Sequence, residues 1–70
     1  MINLVQFQWN DSDGKVISCE EKNEVLNENI EELMELMQNS YEDSILMGVS
    51  RESFMKNLRI VLEIFEKNLS

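Results

Sequence analysis

The sequence predicts a mainly α-helical fold: an antiparallel two-helix hairpin, preceded by a short N-terminal β-hairpin, that dimerises into a four-helix bundle. Three observations lead there. Proline is absent from all 70 residues, which favours long uninterrupted helices. Apolar residues recur at alternating steps of four and three in two separate stretches, the spacing of a helix packed against another helix. Between those stretches stands Gly48, a residue type that ends helices.

Residues 1–70 read as one small domain, with a strand–turn–strand arm over 2–18, a first helix over 19–47 and a second over 51–68. In the arm, Val5, Phe7 and Trp9 alternate with Gln6 and Gln8, the period of a strand across Asn3–Trp9. Asn10–Gly14 is rich in turn formers, and Lys15–Ser18 is short and partly β-branched, which completes a hairpin. Two strands alone are marginal in water, so the arm must lie on another apolar surface, and the side of a helix is the obvious one.

Ser18 and Glu21 have the S-x-x-E spacing of a capping box at the start of the first helix. Leu26, Ile30, Leu33 and Met37 then form its seam, widened by Val25, Met34, Tyr41 and Ile45. No breaker intervenes before Gly48, so the helix extends for roughly 28 residues, or ~42 Å, with Asn39–Tyr41 the place for any kink. Ser50 is the predicted N-cap of the second helix, with Glu52 in its first turn. Phe54, Leu58, Val61 and Phe65 repeat the seam, and Ile60, Leu62 and Ile64 broaden it. So short a connection implies antiparallel helices.

Size and patterning together predict a homodimer. A chain this short buries only ~60% of the surface its unfolded form exposes, and small scaffolds compensate with disulfides, metals or oligomerisation. Cys19 is the sole cysteine, so no disulfide forms within the chain. Both helices are apolar over an arc wider than one neighbour covers. The first helix also outruns the second by roughly 10 residues, or ~15 Å, which either the arm or a second copy can cover.

Composition removes several function classes. Histidine is absent, which eliminates Cys/His zinc sites and His-based catalytic pairs. The first fifteen residues carry neither the basic nor the apolar region of a signal peptide, and no apolar run exceeds three residues, so a cytoplasmic protein is expected. The net charge is −8, and it sits in one place. Between Glu20 and Asp43, nine acids face one base, Lys22, which is −8; Asp11, Asp13 and Lys15 give −1, and the four bases and three acids from Arg51 onward give +1. Such an acidic stripe repels nucleic acid and anionic membrane, and suits a basic protein partner.

Two motifs compete for chemistry. "WNDSDGKVISCE" from Trp9 to Glu20 resembles one EF-hand calcium loop, with Asp11, Asp13 and Glu20 in ligand positions and Gly14 at the sharp turn. Trp9 stands where the first aspartate belongs, and the preceding residues alternate like a strand. The stretch therefore reads first as a polar turn, with weak calcium binding as an alternative. Glu24, Glu28, Glu31 and Glu35 step by four, three and four and line one helical face. Like charges at i,i+4 cost a few tenths of a kcal/mol per pair, so the row is easier to understand opposite something basic. Carboxylate-bridged metal bundles use such faces but also need histidines. Cys19 reads as an incidental thiol beside two acids, and Trp9, Tyr41 and the methionines read as packing residues.

No cofactor and no catalytic residue are expected. The sequence is read as a small acidic, oligomeric helical protein acting as a non-enzymatic protein-interaction or regulatory module, with Glu24, Glu28, Glu31 and Glu35 meeting the partner. One alternative is a small inhibitor or immunity-type protein whose acidic face blocks a basic target site, since steering and charge complementarity suit that role.

Overall fold

The computed structural model describes residues 7–69 and contains two helices among them, α1 (Glu20–Leu46) and α2 (Arg51–Asn68). Both lie within a residue or so of the expected bounds. The chain divides into two compact units, Met1–Met37 and Gln38–Ser70, and α1 contributes to each.

In the first unit the arm reverses at a tight turn. The Asp11 carboxylate oxygen Oδ1 accepts the backbone N–H groups of Asp13 and Lys15, both at 2.9 Å, an Asx-type cap that holds the reversal. Gly14 takes φ 83°, a left-handed value available to glycine without a Cβ clash. The limbs then meet in one antiparallel bridge, Asn10 to Val16, with Ile17 N–H donating to the Trp9 carbonyl at 2.8 Å.

The expected β-hairpin does not form among the described residues: they contain this isolated bridge and no strand. Most of the proposed strand Asn3–Trp9 lies outside them. The second limb fails to extend because its polar groups turn to α1 instead. Asn23 Nδ2 donates to the Ile17 carbonyl at 2.9 Å, and the Trp9 indole Nε1 donates to Asn27 Oδ1 at 2.9 Å. Trp9, Ile17, Asn23, Leu26, Asn27 and Ile30 are all half-buried, so the arm does lie on a helix as anticipated.

The start of α1 also departs from expectation. The first intrahelical acceptor is the Cys19 carbonyl, bonded by Asn23 N–H at 3.0 Å, so Cys19 occupies the cap position rather than Ser18. Ser18 stands one step outside the helix and makes no side-chain hydrogen bond among the described residues, so the capping box is not used. Glu20 and Glu21 fill the first turn, where carboxylates interact favourably with the helix dipole. α1 then runs through Asn39–Tyr41 without a break.

The second unit is a helical hairpin closed by strong local signals. Gly48, at φ 90°, ends α1 with two paired bonds: Gly48 N–H to the Ile45 carbonyl at 3.0 Å and Val49 N–H to the Ser44 carbonyl at 2.9 Å. This is the Schellman arrangement, which satisfies carbonyls that a helix end would leave free. Ser50 follows in extended geometry, and its Oγ accepts Ser53 N–H at 3.1 Å, capping α2 as the sequence predicts. Tyr41 and Phe54 meet edge to face across the turn, with centroids 5.2 Å apart. Tyr41, Ser44, Phe54, Met55 and Leu58 are half-buried there.

Beyond Leu58 that packing stops, and every described residue of α2 from Arg59 onward is exposed. No described residue anywhere in the chain is buried. No helix among the described residues is long and apolar enough to cross a membrane.

Candidate partner-binding face

The acidic row follows from helix geometry. At about 100° per residue, Glu24, Glu28, Glu31 and Glu35 fall within an arc of roughly 60° on α1. Glu20, Glu21, Glu32 and Glu42 lie within the same third of the helix surface, so the face carries eight carboxylates and extends further than the four-residue spacing alone suggests. That extension is readable from sequence once the whole helix is wound, because Glu42 sits one helical heptad beyond Glu35. All eight residues are exposed, and Gln38 Nε2 donates to Glu42 Oε1 at 3.3 Å within the stripe.

The half-buried residues Leu26, Ile30, Met34 and Met37 occupy the other side of α1. An acidic face set opposite the packed face is free to meet a partner without disturbing what the helix already holds. Its carboxylates stand in water, where opposite charge attracts over a Debye length of ~8 Å at physiological salt.

A shallow groove of about 460 Å³ lies in the first unit, lined by Phe7, Gln8, Val16 and Ile17 of the arm and by Glu20, Asn23, Glu24 and Asn27 of α1. It lies beside the N-terminal end of the row. A second hollow of about 400 Å³ is lined by Glu21, Lys22, Val25 and Leu26.

The residues of the calcium-loop reading are placed apart in role. Asp11 Oδ1 holds the turn, while Glu20 begins α1. Among the described residues no three His, Cys, Asp or Glu side chains cluster closely enough to hold one ion. Cys19 is a free, exposed thiol at the cap of α1.

No family model, curated protein or solved structure matches this chain.

Proposed function

We propose that the chain is a non-enzymatic protein-interaction or regulatory module. In this reading it works as a homodimer closing into a four-helix bundle, with Glu24, Glu28, Glu31 and Glu35 presented to a basic protein partner. The observation that carries the reading is a contrast within one small molecule. Its acidic row is exposed and opposite the packed side of α1, while no described residue is buried. A fold without a buried core gains most of its apolar stabilisation by association. A row of like charges lowers the stability of the helix that bears it, so its value lies in what it meets. The groove beside Glu20 and Glu24 supports the same use, since it sets Phe7, Val16 and Ile17 next to two carboxylates.

The test is affinity capture from the native cell extract at low and high salt, with the parent and the Glu28→Gln/Glu31→Gln variant. A basic protein should be retained by the parent, and should be released both by salt and by the substitutions, while the dimer mass stays constant. If that partner loses its own activity on binding, the module acts as an inhibitor. Loss of the dimer in the variant would instead assign the row to self-assembly, with Lys56 and Arg59 of a second copy as its counterparts.

A further inference from the structure

Half of α2 is bare, and from Ile60 onward its apolar side carries no charge. Leu62 is 63% exposed, Phe65 59%, Val61 58%, Ile64 55% and Ile60 42%. Wound at about 100° per residue, Phe54, Leu58, Val61, Leu62 and Phe65 share an arc of roughly 100°, and Ile60 and Ile64 widen it on one flank. Six of the seven charged residues, Glu52, Lys56, Arg59, Glu63, Glu66 and Lys67, occupy a separate arc of similar width, and the seventh, Arg51, lies at the first-turn end of the apolar arc. Within the apolar arc Asn57 is already satisfied, its Nδ2 donating to the Ser53 carbonyl at 3.0 Å. Covering this face therefore desolvates little that is polar.

Two further arguments identify what covers it. The first is area. At roughly 100 Å² each, the half-exposed side chains from Ile60 to Leu69 present on the order of 600 Å² per copy. Two such faces together give about 1,200 Å², the lower edge of a stable specific interface. The second is charge. α1 carries nine acids and one base, whereas α2 carries four bases and three acids. Pairing two α1 helices sets −8 against −8, and pairing two α2 helices sets only +1 against +1. Leu33 apart, which lies on the packed side beside Leu26 and Met37, the uncovered apolar residues of α1 are also poorly placed, because Val25 and Leu36 share their side of the helix with Glu32 and Asp43. Covering them would strip water from carboxylates with no partner.

We propose that the apolar face of α2 is a self-recognition surface, covered by the α2 helix of a second copy. A two-fold axis relates the copies, so that one patch serves both sides, as isologous dimers require. This assignment rests on the homodimer reading above and specifies which face makes it.

The experiment is sedimentation equilibrium on the full chain at micromolar concentration, for the parent and two charge-matched variants. Val61→Lys/Phe65→Lys alters α2, and Val25→Lys/Leu36→Lys alters α1. The parent and the α1 variant should sediment as dimers, while the α2 variant should dissociate at least a hundredfold more readily. Should the lysine variant of α2 not fold, the milder Val61→Ala/Phe65→Leu keeps the face apolar but smaller, and should weaken the dimer about tenfold with helicity retained. A monomeric parent overturns the homodimer reading itself. A dimeric parent whose α2 variants associate normally overturns only the choice of face. So does a dimer that the α1 substitutions dissolve.

Discussion

The two units of this chain are held together in opposite ways. In the first, an arm with little regular structure is tied to α1 by side-chain bonds, Trp9 to Asn27 and Asn23 to Ile17. In the second, regular helices are capped at their junction by Gly48 and Ser50, yet the apolar face of α2 beyond Leu58 stays uncovered. The first unit thus joins an irregular arm to a helix, with Trp9, Ile17, Leu26 and Ile30 partly covered. The second has its backbone ends satisfied and its apolar residues exposed from Ile60 onward. Local signals are enough to shape a helical hairpin but not to bury it. On the proposals above the two regions have different tasks: α1 displays charge, and α2 offers the surface for a second copy.

The contrast breaks most readily at Trp9. Its ring is half-buried and its indole bonded, so Trp9→Ala should cost about 2 kcal/mol, below the range for fully buried aromatics, as measured by urea unfolding. No comparable loss should follow from Phe65→Ala in a variant already made monomeric, because that ring is largely uncovered within one chain. If the two losses are equal in monomeric backgrounds, the distinction between the units fails.

Next in size is the helix junction. A Cβ added at Gly48 would meet no atom within 4 Å, so the penalty of Gly48→Ala comes from backbone conformation alone. We expect about 1–2 kcal/mol for alanine and clearly less for asparagine, which tolerates left-handed geometry. Equal costs for the two would show that the Schellman turn does not set the stability of the second unit.

The smallest effects belong to the acidic face. Glu28→Gln/Glu31→Gln should leave thermal stability unchanged or raise it by a few tenths of a kcal/mol, by relieving like-charge neighbours. Millimolar calcium should leave both the melting temperature and the Trp9 fluorescence unchanged, since Asp11 is occupied in holding the turn. A saturable fluorescence change that Asp13→Asn abolishes would restore the calcium-loop reading.

Much of this architecture is legible in the sequence because helices are written locally. The four-three spacing locates both helices, and Gly48 and Ser50 mark the junction, since each acts through backbone groups a few residues away. The arm is misread for the same reason. Alternation around Trp9 suggests a strand, but Asn23 and Asn27, more than five residues downstream, redirect its hydrogen bonds to α1. Ser18 is displaced as a cap by a single-residue shift that no local pattern reveals. Four members of the acidic row are evident from their steps. Glu20 and Glu42 join only when the whole helix is wound.

On the homodimer proposal, this chain completes its core only with a second copy. Thermal unfolding followed by the helical circular dichroism signal, over about a hundredfold range of protein concentration, tests it directly. Coupled folding and association predict a midpoint that rises steadily with concentration. A sharp transition whose midpoint does not move with concentration, from a species that sediments as a monomer, would contradict it.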